Sequence, residues 1–191
     1  NLYLDYFEAK SINEFARNDN HDLMVNYDYD FDSFTVFNAR IRYRNERLQD
    51  PNTLINPSDE ITSRVKMTKK INEHLTSVLQ VSYNLHNDEN DLHTGWLVYN
   101  QLNISNISNN LKLYIRYTFF DVTDFEARIY TYENDLLYKY SIPFFNNRGM
   151  RFYVLFNMKV NTYLSVWLKF SHTYYSNRDQ ISSGNNRIDN N

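Results

Sequence analysis

Residues 111–120 read LKLYIRYTFF, and apolar and polar side chains alternate along this stretch. One row consists of Leu111, Leu113, Ile115, Tyr117 and Phe119, and the other of Lys112, Tyr114, Arg116 and Thr118. Successive side chains of a β-strand point to opposite faces, so a period of two is the signature of a strand. The stretch therefore predicts a strand with one apolar face and one polar face.

The same alternation recurs along almost the whole chain. It predicts about eleven strands, at residues 2–9, 22–29, 33–44, 61–68, 75–85, 94–104, 111–120, 125–133, 136–142, 150–160 and 164–173. Several of these reach the ~9–11 residues with which a tilted strand crosses a bilayer.

The connections between these strands alternate in length. Short polar turns fall at residues 30–32, 69–73, 105–109, 134–135 and 161–163, and longer links at 10–21, 45–59, 86–93, 121–124 and 143–149. Short turns at one end and long loops at the other are typical of outer-membrane barrels. We therefore predict an all-β fold, an antiparallel up-and-down transmembrane β-barrel. The alternative is a soluble antiparallel barrel or sandwich with a wet outer face.

Neither end of the chain carries a recognisable terminal element. No basic-then-apolar signal region precedes the first predicted strand, and residues 182–191 read SSGNNRIDNN. We expect residues 1–191 to form the C-terminal part of one barrel domain, which the rest of its own chain completes. The loops at 45–59, 86–93 and 174–191 would face the exterior, and the short turns the periplasm.

Composition excludes several other classes of protein. The chain has 191 residues, 20 Lys and Arg against 23 Asp and Glu, a net charge of −3 and no Cys. Without Cys there is no disulfide scaffold, iron–sulfur site or catalytic thiol. No window approaches ~18 consecutive apolar residues, so no transmembrane helix is predicted. The low mean hydropathy still suits a barrel, in which only every second residue is apolar.

Aromatic side chains of the apolar rows lie mostly toward strand ends. Such positions predict an aromatic girdle at the membrane interface, with outer-membrane lipid or lipopolysaccharide as its partner. The predicted girdle consists of Tyr43, Tyr83, Trp96, Tyr117, Phe119, Phe152, Tyr163 and Phe170.

Basic side chains concentrate on the polar rows, where Glu126 is the main acid, while most acids lie in loops and turns. The row consists of Arg40, Arg42, Arg44, Arg64, Lys66, Lys112, Arg116, Arg128, Lys139, Arg151, Lys159 and Lys169. It predicts a basic lumen that favours anions or a polyanion. The alternatives are contacts with lipid head groups near strand ends, or an Arg–Tyr–Glu network that fills a narrow or plugged lumen. The tyrosine partners in that network would be Tyr114, Tyr130, Tyr132 and Tyr153.

A family resemblance covers residues 128–190. The matching pieces are YEND at 132–135, LY at 137–138, SIP at 141–143, Gly149, Leu164, WL at 167–168, TYYSN at 173–177, ISSG at 181–184 and ID at 188–189. This stretch resembles the C-terminal barrel region of large Bacteroidota outer-membrane proteins that carry N-terminal helix-hairpin-helix repeats. The resemblance implies the outer membrane of a Gram-negative, Bacteroidota-like bacterium. It also implies nucleic acid as a partner only through domains absent from these residues.

Metal and catalytic motifs are weak. His86, Asp88, Glu89, Asp91 and His93 cluster in one loop, but their spacing fits no metal-binding loop. The run Asp28, Asp30 and Asp32 lacks the Gly and closing Glu of a calcium loop, and a polar hairpin turn explains it. No G-x-S-x-G motif occurs, and His172, on a predicted lipid-facing row, has no identifiable partner Ser. We predict no metal, no cofactor and no enzymatic activity.

These patterns predict an outer-membrane barrel that serves as a pore or anchor, with a basic lumen linked to DNA or anion passage. The alternative is a non-conducting structural or docking barrel that works with other envelope proteins in a larger cell-envelope or secretion assembly. A third hypothesis is a soluble protein whose exposed Tyr and Asn side chains bind sugar.

Overall fold

The computed structural model describes residues 1–10, 17–46, 48–49, 58–88, 91–107, 110–177, 180–181 and 188–189. In these ranges nine long strands are β1 (Leu2–Lys10), β2 (Arg17–Asp32), β3 (Thr35–Glu46), β5 (Ser58–Lys70), β6 (Leu75–Asp88), β7 (Leu92–Ile107), β8 (Leu111–Val122), β11 (Asn147–Lys159) and β12 (Ser165–Tyr175). Five two-residue strands are β4 (Leu48–Gln49), β9 (Ile129–Tyr130), β10 (Phe144–Phe145), β13 (Gln180–Ile181) and β14 (Ile188–Asp189). In the predicted link at 10–21 only residues 11–16 lie outside these ranges, because residues 17–21 belong to β2; most of the link at 45–59 and most of the last residues lie outside them.

The long strands form one antiparallel sheet in the order β1-β2-β3-β5-β6-β7-β8-β11-β12, and β4 pairs with β2. Each long strand pairs with the next one along the chain, so the all-β, up-and-down part of the prediction is confirmed. Among the described residues β1 and β12 do not pair with each other, and the sheet is open rather than closed into a barrel.

The predicted strands at 125–133 and 136–142 are wrong as strands of the large sheet, and only the two-residue β9 falls within them. Residues 123–146, which we call the covering segment, contain a 3₁₀-helix (Phe125–Ala127), β9 and β10, and lie outside the large sheet. Their alternation has another cause. Ala127, Ile129, Thr131 and Glu133 are all buried, because an extended segment lying on the sheet turns every second side chain toward it. Arg128 and Lys139 are therefore on this segment and not on strands of the sheet.

An apolar core joins the covering segment to the sheet. Leu97 and Tyr99 of β7 and Phe120 and Val122 of β8 pack against Ala127, Ile129 and Phe145 of the segment. The rings of Phe120 and Phe145 lie 5.0 Å apart at a T-shaped angle. Full burial of one such side chain contributes about 1.5–3 kcal/mol, so this cluster stabilises the segment on the sheet.

Gly95 of β7 permits the close approach of the covering segment. A Cβ atom at this position would lie 2.7 Å from the backbone oxygen of Ala127. No side chain fits in that space unless the segment moves, so the glycine is required by packing rather than by a turn.

The opposite face of the sheet is apolar and exposed. One row of register partners crosses all nine long strands, and every member is apolar or tyrosine. The row runs through Leu2, Tyr27, Ala39, Val65, Val81, Val98, Phe119, Met150 and Tyr174. Leu2 is 72% exposed, Val65 53% and Phe119 51%. We call this surface the exposed face, and the side under the segment the covered face.

Candidate functional site: the basic covered face

Ten of the twelve predicted basic residues lie on one face of the sheet, because the register aligns their rows from strand to strand. They are Arg40, Arg42, Arg44, Arg64, Lys66, Lys112, Arg116, Arg151, Lys159 and Lys169. This is the covered face. Arg128 reaches the same side from the covering segment, and Lys139 is exposed on that segment.

Seven of the eight predicted girdle residues lie on the exposed face, and Tyr163 lies in the turn between β11 and β12. Tyr43 and Trp96 lie toward the ends of β3 and β7, whereas Tyr83, the direct register partner of Trp96, lies nearer the middle of β6. Tyr117 and Phe152 pair in the middle of their strands, with ring centroids 4.8 Å apart. The structure therefore brings together only part of the predicted ring at the strand ends.

Glu133 is the acidic centre of the covered face. Its side chain is fully buried and forms a bidentate ion pair with Arg151: Nε lies 2.8 Å from Oε1 and Nη2 lies 3.0 Å from Oε2. The Lys169 Nζ lies 3.6 Å from the same carboxylate and 3.3 Å from Asp135. Two carboxylates of the covering segment thus neutralise two cations of β11 and β12.

The surroundings of Asp135 change the pKa of its carboxyl. Burial alone would raise the pKa of this carboxyl, but the backbone N–H of Leu136 donates to it and Lys169 lies beside it. Together these donors lower the pKa of Asp135 below its ordinary value of 3.8.

Arg116 is held without a carboxylate among the residues that the structure describes. It is 3% exposed and donates to Gln101 Oε1 and to the backbone oxygen of Tyr132, both at 2.7 Å. Its guanidinium lies 3.9 Å from the centre of the Tyr99 ring and 5.3 Å from that of Tyr153. This arrangement satisfies the buried cation by hydrogen bonds and cation–π contacts.

These contacts correspond to the Arg–Tyr–Glu network that the sequence offered as an alternative to an open lumen, with differences in its members. Tyr153 takes part and donates to Gln101 at 2.8 Å. Tyr130 is more than half exposed but accepts a hydrogen bond from Arg128 at 2.7 Å, and the Tyr132 side chain is more than half exposed. Sequence reasoning missed Glu133 as the acid. Its only signal was its position in the alternating row that continues from Ala127.

A cavity of about 430 Å³ lies on the other half of the covered face, between β2–β6 and the start of the covering segment. Five arginines line it, namely Arg40, Arg42, Arg44, Arg64 and Arg128, together with Glu60 and Glu126. Arg42 pairs with Asp22 through Nε at 2.8 Å, and Arg44 lies between Asp22 at 3.7 Å and Glu60 at 3.6 Å.

Two of these arginines differ from the others. Arg40 donates to Asn26 at 3.2 Å and Arg64 to Asn38 at 3.4 Å, and within the described ranges neither makes an ion pair with a carboxylate. The Arg64 Nε is inaccessible to water and has no hydrogen-bond partner there. Arg40 and Arg64 are therefore the two cavity arginines without a carboxylate at ion-pair distance among the described residues.

The acidic loop near His93 shows no metal-like arrangement in its described part. His93 Nε2 lies 3.8 Å from Asp88 Oδ2, and the rings of His86 and His93 are 6.3 Å apart. No group of three or more His, Cys, Asp or Glu side chains is placed to hold a metal ion in the part of the chain that the structure describes. Asp28 accepts hydrogen bonds from Asn26 and Asn38 of the hairpin.

No protein-family model matches the chain, and no curated protein or solved structure matches it either. The resemblance of residues 128–190 to Bacteroidota barrel proteins therefore stays a prediction. Within the described ranges, no helix has the length and apolar character needed to span a bilayer.

Proposed function

We propose that this chain is part of an outer-membrane β-barrel in a Gram-negative bacterium, with its exposed face in lipid and its covered face toward a basic interior. The observation that carries this proposal is the distribution of polarity. Apolar side chains are exposed across all nine long strands, while the charged rows lie on the covered face. A protein with its apolar side outward suits a hydrocarbon solvent.

Energetic arguments support the same assignment. Soluble monomers rarely expose contiguous apolar patches beyond a few hundred Å². In lipid, by contrast, exposed Val65 and Val81 would be in a favourable environment, and the antiparallel ladder pairs backbone groups that hydrocarbon cannot solvate. Closure would require further strands that pair with β1 and β12.

The covering segment favours the docking barrel over the open pore. It lies over β6, β7 and β8, and through Arg151 and Lys169 it is also fixed to β11 and β12. An interior filled in this way would conduct little, and the barrel would act as an anchor or docking partner for other envelope proteins. A link to nucleic acid would depend on other domains.

The two tryptophans provide a test of the membrane assignment. Trp96 is 44% exposed on the exposed face, and Trp167 lies on the opposite face as a register partner of Asn157. We would reconstitute the single-tryptophan variants Trp167→Phe and Trp96→Phe into vesicles of brominated phosphatidylcholine. We expect strong quenching of Trp96 and weak quenching of Trp167.

Equal quenching of the two residues, or none, would contradict the proposal and favour the soluble alternative. Planar-bilayer recording addresses the docking role separately. We expect no large steady conductance from the purified protein. A stable open channel would contradict the docking role and favour a pore.

A further inference from the structure

The arginine-lined cavity contains an unfavourable pair of like charges. Arg40 and Arg64 are direct register partners on adjacent strands of the covered face. Like charges directly opposite each other in a sheet are destabilising, unless a counter-charge lies between or beside them. The described carboxylates of this region have other partners: Asp22 pairs with Arg42 and Arg44, Glu60 with Arg44 and Asn84, and Glu126 with Arg128, while Asp28 accepts hydrogen bonds from Asn26 and Asn38.

The cavity also has room and unused donors for an anion. Its volume of about 430 Å³ is within the range of small-molecule sites. The Arg64 Nε is buried without a hydrogen-bond acceptor, which costs free energy. An anion would reach this atom through a shift of the Arg64 side chain toward the cavity that it lines. Arg128 lines the same cavity from the covering segment. Its guanidinium donates to Tyr130 at 2.7 Å and to the Phe125 oxygen at 3.0 Å and lies 3.8 Å from Glu126, so a bound anion would share this group with them.

We propose that this cavity binds a phosphate-bearing small molecule, with Arg40 and Arg64 as its main ligands and Arg128 closing the site. Guanidinium groups present paired N–H donors that match the oxygens of phosphate, and they bind it more strongly than neutral donors do. This proposal rests on the basic interior proposed above and specifies the class of anion that it binds. We assign a water-soluble phosphate compound rather than a lipid headgroup, because the cavity is on the covered face and away from the lipid.

Inorganic phosphate is the probe for this site. The purified protein in detergent micelles is titrated by calorimetry at constant ionic strength, and its thermal midpoint is measured with phosphate and with an ionic-strength match of chloride. We expect phosphate to bind and to raise the midpoint more than chloride does. In Arg64→Gln the affinity should fall at least about tenfold, since one charge-assisted hydrogen-bonding partner is lost.

Arg148→Gln is the matched control, because it removes an arginine charge that lies outside the cavity and pairs with Asp121. It should bind phosphate as the unaltered protein does. Without phosphate, Arg64→Gln should keep or raise the midpoint, because it relieves the like-charge pair. A merely structural arginine would instead lower the midpoint and leave phosphate binding unchanged. If Arg64→Gln does not fold, Arg40→Gln decides the matter by the same readouts.

Equal effects of phosphate and chloride, or equal affinities of Arg64→Gln and Arg148→Gln, would overturn the site. These measurements need no bilayer. Failure of phosphate binding with intact Trp96 quenching would therefore remove only the site, and loss of the quenching contrast would remove the membrane assignment.

Discussion

Substitution of the buried carboxylate Glu133→Gln should release the covering segment from the sheet. The variant keeps the volume of the side chain but leaves Arg151 without its buried counter-ion and Lys169 with Asp135 alone. Removal of one partner from a buried ion pair costs about 3–5 kcal/mol. We expect about 3 kcal/mol, the lower end of that range, because Asp135 remains beside Lys169.

Hydrogen exchange of the covering segment is the appropriate assay. The backbone N–H of Thr131 donates to Pro143 at 3.3 Å and that of Glu133 to Ser141 at 3.2 Å, both within the segment. An isolated two-stranded pairing is marginal in water, so these amides should lose their protection when the segment leaves the sheet. A loss of about 3 kcal/mol corresponds to roughly a hundredfold faster exchange. Amides in the ladder between β6 and β7 should keep their protection.

Asp121→Asn is the control for this experiment. Asp121 pairs with Arg148 at 2.7 Å, but the Arg148 side chain is 64% exposed, and such surface pairs contribute about 0–1 kcal/mol. The reasoning would be refuted if Glu133→Gln accelerated exchange of the segment by less than about tenfold, which corresponds to only about 1.4 kcal/mol.

Two further predictions concern the same segment. Gly95→Val should lower the free energy of unfolding by about 1–3 kcal/mol, since its Cβ would overlap the Ala127 oxygen. Asn100→Val, on the exposed face, should leave this free energy nearly unchanged. Equal effects of the two substitutions would argue against close packing at Gly95. Because the pKa of Asp135 is lowered in the fold, its contribution is present above pH 3.8 and is lost as the pH falls below that value. Exchange of the segment measured against pH should show this acid limb in the unaltered protein and lose it in Asp135→Asn, and identical profiles would contradict the assignment.

The period-two pattern was sufficient to predict the sheet. Alternation placed the nine long strands and assigned Arg40, Arg64 and Arg116 to one face, because a strand leaves each side chain only two directions. Antiparallel neighbours joined in chain order then align these rows without further information. For the same reason Val65, Val81 and Phe119 were assigned correctly to the other face.

The alternating pattern could not distinguish a strand that pairs within the sheet from an extended segment that packs on its face. Residues 125–133 have the period of a strand because Ala127, Ile129 and Glu133 pack on the sheet, and this gives the same pattern as pairing within a sheet. The two predicted strands that are not in the sheet follow one another in the chain. Because strand direction alternates in an antiparallel sheet, leaving out both of them does not change the predicted direction of β11. This explains why the strand order could be predicted despite the error.

The sequence by itself determined a two-faced, up-and-down β-sheet and the sorting of basic residues onto one of its faces, because local stereochemistry and pairing of successive strands control both. Only the tertiary structure decided what that face contacts. Glu133 meets Arg151, and Gly95 meets Ala127, across separations that no local period encodes. Such contacts depend on where a connecting segment folds back, and this is set by the shape and burial of the whole sheet.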